Sequence, residues 1–373
     1  MRSRSPLLVV LASLCFVAAA AARPYEPPGS HVYAGLSGGT SISAYQQMVR
    51  KHPAVFETYT TWNTSTAWLR SPDRSFRSRV GLHISTSTGY GQGGVISPEG
   101  IALGRSDRFL IRLNRDLAHS RRIFYVRLMA EMNGYWNAYA AFSANGAFRG
   151  TQNSAHSYVQ AWRRSVLILR GGPTRRIDAK LARLGLPRLL VRTGGERALP
   201  RPKVAFLWVP QDAGSPEIAA NAPAAFWPGG AYVDWVGTDF YASYPNFALL
   251  DRFYNQFSGK PFVLSEWALY GADAPGFVRS LFAWVRSHPR VRMLNYYQGF
   301  TDSGPANLAH YPASRVALRR ALGSRRFLAY PPEYAHPPQA KPAPPPPLPP
   351  VPGPPPSPPQ LCLPLLNLCI PGL

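Results

Sequence analysis

Cysteine is nearly missing from this chain of 373 residues, which holds only Cys15, Cys362 and Cys369. So few cannot staple a core, and two cysteines with no histidine beside them fall short of the four ligands of a structural zinc site. Acidic residues are scarce too, 18 Asp and Glu against 41 Lys and Arg, for a formal charge of +23. The surplus is spread over doublets such as Arg121-Arg122, Arg163-Arg164 and Arg319-Arg320 rather than gathered into one stripe. That dispersal argues against a nucleic-acid-binding module. Solvated helix faces are the plain reading of so dispersed a charge, and attraction to an anionic cell-wall polymer or surface is the alternative that it allows. Beyond the first two dozen residues no run approaches the ~18 to 20 apolar residues of a membrane span.

The two ends differ from the middle. Arg2 and Arg4, the run PLLVVLASLCFVAAA and the small residues before Arg23 predict a signal peptide over 1–22. Leu14 precedes Cys15 where a lipoprotein signal needs a small residue, so Cys15 is expected to leave with the signal. Its removal takes the formal charge from +23 to +21 and implies a secreted protein, extracellular or wall-associated and monomeric. Residues 336–360 are too rich in proline for helix or sheet and predict a semi-rigid polyproline II linker. The closing segment, 361–373, carries Cys362 and Cys369, which an oxidising compartment should join in a small disulfide loop.

Between the ends, about 23–335, short apolar and β-branched runs alternate with helical patterns. The runs begin at His31, Ala54, Arg79, Ile123, Lys203, Tyr232, Pro261 and Val291. The segments SDRFLIRLNRDLAHS, SAHSYVQAWRRSVLILR, NFALLDRFYNQF and APGFVRSLFAWVRS are amphipathic at helical spacing. Strands that read as continuous apolar runs, each followed by a helix, predict a parallel sheet covered on both faces. Eight such units predict an α/β fold, a (β/α)8 TIM barrel with the proline-rich tail attached.

Chemistry in such a barrel sits at the C-terminal ends of the strands. Glu131 ends the fourth run, in RLMAEMNGYW, and Glu266 the seventh, in KPFVLSEW. Two carboxylates in one mouth are what glycoside hydrolysis needs, one to protonate the leaving oxygen and one to attack the anomeric carbon or activate water.

RLMAEMNGYW, VDWVGTDFY and PFVLSEW, in this order at three strand ends, resemble the acid/base, sixth-strand and nucleophile motifs of glycoside hydrolase family 26. The family is β-mannanase-like, and it belongs to the clan of retaining (β/α)8 glycosidases. The resemblance, which spans roughly residues 30–325, implies Glu131 as general acid/base and Glu266 as nucleophile. It implies Trp136 as an aromatic of the substrate cleft and Tyr241 as the tyrosine that hydrogen-bonds the nucleophile. It also implies β-mannan as substrate, with no cofactor or metal. Two positions depart from the pattern. Ala130 stands where the family usually has histidine, and the eighth strand offers Tyr297 or Gln298 where an aromatic platform is expected.

His83, Arg127, Asn133, Trp208 and Trp267 are further candidates to line the cleft, since sugar faces stack on aromatics and hydroxyls need polar partners. Core packing is the competing reading for each. Asp234 and Asp239 read as structural hydrogen-bond partners. The pattern GYGQGG, Gly89–Gly94, lacks the helix that a dinucleotide site requires and reads as a loop over the barrel mouth. A non-catalytic carbohydrate-binding or wall-associated protein on a degenerate barrel remains open, as does a related glycosidase acting on β-glucan or xylan.

Overall fold

The computed structural model describes residues 25–39, 41–71, 76–87, 93–191 and 197–335, with the backbone of 361–363 and 368–370. Eight parallel strands follow one another in chain order: β1 (Val32–Ser37), β2 (Val55–Thr61), β3 (Arg79–Ser85), β4 (Ile123–Leu128), β5 (Lys203–Trp208), β6 (Trp235–Tyr241), β7 (Phe262–Ala268) and β8 (Val291–Tyr297). Each pairs with its neighbours, and β8 pairs with β1, Tyr33 opposite Met293, which closes the barrel. All eight strands fall on the runs expected from the sequence.

The helices are α1 (Ile42–Val49), α2 (Pro98–Ala102), α3 (Asp107–Ser120), α4 (Ala155–Arg170), α5 (Thr174–Arg183), α6 (Phe247–Gln256), α7 (Pro275–Ser287) and α8 (Pro312–Leu322). Local chemistry starts several of them. The side chains of Ser154 and Asn246 accept the backbone N–H of Ser157 and Leu249, caps each worth about 1 kcal/mol. The eightfold pattern is uneven, because 3-10 turns replace an α-helix after β2 and after β5, among them Ala67–Arg70 and Pro223–Phe226.

Alternation along the strands sorts the core into two layers. One set fills the barrel interior, including Tyr33, Val55, Tyr125, Leu207, Trp235, Val263 and Met293. The other packs the strands against the helices. Trp208 and Trp267 belong to that outer layer and not to a cleft, which corrects the expectation for both. Trp208 follows the interior Leu207, so its indole turns outward, onto Trp227 and Phe257 with centroids 4.9 Å away in each case. Trp267 packs on Tyr296 at 5.0 Å and Phe282 at 5.8 Å. Both are essentially inaccessible to solvent.

Residues 336–373 form a second unit, in which Leu361–Leu363 pairs antiparallel with Leu368–Ile370 and Cys362 is the backbone partner of Cys369. The signal segment, the proline-rich stretch, the side chains of the expected disulfide and most of Gly89–Gly94 lie outside the described residues. Among the described residues no helix is long and apolar enough to cross a membrane.

Candidate active site

At the C-terminal end of the barrel the interior column changes from apolar to ionic. Above Val55 on β2 stands Glu57, above Tyr125 on β4 stands Arg127, and above Trp235 on β6 stands Asp239. Arg127 is 1% exposed and is the only cation bonded at the centre of this cluster among the described residues. Its Nη1 donates to Glu57 Oε1 at 3.1 Å and to Glu266 Oε1 at 2.5 Å, and its Nη2 donates to Asp239 Oδ2. Burial works against its charge, but the Asp239, Glu266 and Glu57 carboxylates outweigh that and hold its pKa well above the ordinary value.

Glu266 reaches this cluster through a break in strand register. Ser265 Oγ donates to Glu57 Oε2 at 3.3 Å, so strict alternation would turn Glu266 out of the barrel. The pairing of β6 with β7 slips between Thr238 and Asp239, placing Asp239 opposite Glu266, and consecutive side chains then both reach the interior. Glu266 Oε1 also accepts from Tyr59 Oη at 2.8 Å, and Oε2 accepts from Tyr241 Oη at 2.5 Å. Asp239 Oδ1 accepts the Glu266 backbone N–H at 2.9 Å and so fixes the chain beneath the carboxylate.

Glu131 stands just past the end of β4. Met129 and Glu131 have φ of +43° and +51°, a left-handed backbone unusual for residues with a side chain and one that clusters at functional sites. The turn is held by the Glu131 N–H donating to Val209 O at 2.7 Å, and by Gly134 N and Asn137 Nδ2 donating to Glu131 O at 2.8 Å each. Oε2 accepts from Trp136 Nε1 at 2.7 Å, and Oε1 accepts from Gln211 Nε2. Gly134 makes this possible, since a Cβ there would stand 2.5 Å from the Trp136 ring. Burial pushes the Glu131 pKa up, with the Glu266 charge adding to it.

The sequence candidates thus divide. Glu131, Glu266, Arg127, Trp136 and Tyr241 converge at one mouth. Tyr297 stands at its edge, 6.3 Å from the Tyr241 ring and 6.0 Å from Phe300. His83 lies beside Tyr59 at 5.1 Å, and burial, with Arg127 adding to it, pushes its pKa well below the usual range, so its ring is neutral. Asn133 is buried away from the opening. Its amide donates to Gln211 O and Ala213 O and accepts from Gln211 N, so it shapes the loop that delivers Gln211 to Glu131 instead of lining the cleft. Ala130 packs with the interior apolar cluster, where the family histidine would put a polar ring. Asp234 is structural, accepting from Arg170 at 2.8 Å and from Phe206 N at 2.9 Å, whereas Asp239 belongs to the site.

Glu57, Tyr59, Gln211 and Phe300 are site residues that the sequence reading did not single out, and Asp239 is one that it read as structural only. Glu57 left a signal, as the one charge in the strand VFETYTT at an interior position. Glu57, His83 and Glu266 offer ligand atoms within 4.8 Å of one another, a spacing that a metal ion could use. The charge does not fit, because the Arg127 guanidinium already bonds both carboxylates.

Burial raises the Glu57 pKa from 4.5 to about 7, outweighing the Arg127 charge. Between these values the folded protein keeps a proton that the unfolded chain releases, so stability falls as pH rises through the window, by roughly 3 kcal/mol from this group. The raised values of Glu131 and Asp239, and of Asp212 at about 6, act in the same direction. The urea midpoint should therefore drop between pH 4.5 and 7.5, with a clearly shallower drop in Glu57→Gln. An equal drop in the two proteins would remove Glu57 as its source.

A closed parallel barrel with two carboxylates at the ends of strands four and seven is an architecture suited to glycoside hydrolysis. The fold is that of family 26 β-mannanases. The chain is similar to a modular endo-β-1,4-mannanase from Cellulomonas fimi at 15% identity, covering 80% of this chain and 72% of that one with a TM-score of 0.52. It is similar to a family 26 glycoside hydrolase from Muricauda sp. at 15% identity, covering 80% and 91% with a TM-score of 0.50. A β-mannanase from a symbiotic protist of the termite Reticulitermes speratus, solved with gluco-manno-oligosaccharide, matches at 13% identity, over 80% and 88%, with a TM-score of 0.50. No protein-family model and no curated protein sequence matches the chain. The likeness is therefore one of fold, and function has to be argued from the site.

Proposed function

We propose that the protein is a secreted retaining glycosidase that cleaves β-mannan by double displacement, with Glu131 as general acid/base and Glu266 as nucleophile. One observation carries the proposal: two glutamates share a mouth in unlike surroundings. Glu266 accepts from a guanidinium and two phenols, a setting that fixes a carboxylate for attack. Glu131 has a raised pKa, as a proton donor needs.

In the first step Glu266 attacks the anomeric carbon while Glu131 gives its proton to the departing oxygen, forming a glycosyl-enzyme. In the second, Glu131 takes a proton from water as it attacks the same carbon and releases Glu266. Trp136 and Gln211 hold Glu131 in place for both transfers. Tyr297 and the 58%-exposed Phe300 supply ring faces at the eighth-strand end, where a sugar can stack.

Reducing-sugar release from a panel of mannan, β-glucan and xylan tests the proposal. Mannan should be hydrolysed fastest, and NMR of early turnover should show a first-formed product of retained configuration. Preference for β-glucan or xylan would change the substrate and keep the chemistry. A folded protein that releases nothing from the panel would leave the carbohydrate-binding reading in its place.

A further inference from the structure

A groove of about 540 Å³ lies on the opposite side of the barrel from the glutamates, where α4 ends, α5 runs and β5 begins. Helices of a parallel barrel run against the strands, so the end of α4 and the start of β5 both belong to the N-terminal face. The groove is lined by Arg170, Arg176, Lys180, Arg183 and Arg201. Arg170 is committed to Asp234 and to Ala231 O. The other four are exposed, and none has an ion pair or side-chain hydrogen bond among the described residues.

Arg176, Lys180 and Arg183 stand at i, i+4 and i+7 of α5 and so share one face, where like charges repel. The helix has one acid, Asp178, and its carboxylate accepts from Leu189 N, in the chain beyond the helix. Arg201 meets the row from across the groove and lies over Gly172, where a Cβ would stand 2.9 Å from its guanidinium. Leu167, Ile177 and Tyr232 give the groove an apolar floor between these cations. A strip of ring and aliphatic surface flanked by unneutralised positive charge is complementary to a chain of sugars that carry anionic groups.

We infer that this groove is a second binding site, for an anionic glycopolymer whose sugars carry carboxylate or phosphodiester groups. Lying away from the mouth, it holds the polymer without blocking hydrolysis. The bound polymer serves as an anchor and not as a substrate.

Co-sedimentation or biolayer binding of the full chain tests this with polygalacturonate as the carboxylate probe, poly(N-acetylglucosamine 1-phosphate) as the phosphodiester probe and neutral galactomannan as control. The variant Arg176→Gln/Lys180→Gln/Arg183→Gln is compared with Arg105→Gln/Arg108→Gln/Arg121→Gln, which removes the same charge from exposed positions around α3. The groove variant should weaken binding of at least one anionic polymer by about tenfold or more at low salt, the α3 variant by no more than about twofold. Neither should alter release of sugar from mannan, so failure here is separable from failure of the glycosidase reading. Equal loss in both variants would show that net charge alone attracts the polymer and would overturn the site. So would binding indifferent to salt, or binding to vesicles of phosphatidylglycerol and phosphatidylcholine with none to either polymer.

Discussion

With Glu131 replaced by alanine, an aryl β-glycoside whose leaving group departs unaided should release one equivalent of phenol rapidly and then stall. The first step needs only Glu266, but the second has lost the base that activates water, so the glycosyl-enzyme accumulates. On mannan, whose leaving oxygen needs a proton, the rate should fall by roughly 10²- to 10⁴-fold. Added azide attacks without surrendering a proton and should restore turnover, giving a β-glycosyl azide. Glu266→Ala should show no burst and form no covalent intermediate. Azide could there enter only from the vacated side, giving the opposite anomer. Mass spectrometry of the intact protein and NMR of the azide distinguish these outcomes. The reverse pattern would exchange the two roles, and wild-type rates in both variants would end the glycosidase reading.

The outline of this site was legible because barrel strands are short apolar runs and a charge at the end of one stands out. Glu131 and Glu266 were visible in that way. What was hidden depends on register. Trp208 and Trp267 neighbour interior residues in sequence, yet alternation puts them in the helix-facing layer. Asp239 reads as one more polar residue in VDWVGTDFY until the slip opposite Glu266 shows it meeting Arg127. Gln211 lies in a loop with no periodicity, and it reaches Glu131 through the hydrogen bonds of Asn133 and the Glu131 N–H bond to Val209 O, none of which a sequence pattern shows. Asn133 itself sat beside the catalytic candidate in sequence, and its role proved to be holding that loop.

Arg127→Met should give the largest loss of stability, and the loss should depend on pH. The guanidinium is the shared partner of Glu57, Asp239 and Glu266, of which Glu57 and Asp239 are almost wholly buried. Removing one member of a buried ionic cluster leaves charges with no compensation, which costs about 3 to 5 kcal/mol. Glu57 and Asp239 can escape by binding protons, so their pKa values, already raised by burial, should rise further in the variant. Its folded state then keeps its protons to higher pH than the wild type does, so the deficit should be small at pH 5, larger at pH 7.5, and still growing above that until the raised values are passed. Arg127→Lys should fall between the two proteins, since one ammonium supplies the charge without the planar fork that reaches three carboxylates. Urea unfolding of the three proteins at pH 5 and 7.5 measures this directly. A deficit under about 1 kcal/mol would place Arg127 among ion pairs of little net worth. A large deficit equal at both pH values would trace it to lost packing, because only the ionic account couples the loss of this one residue to protons.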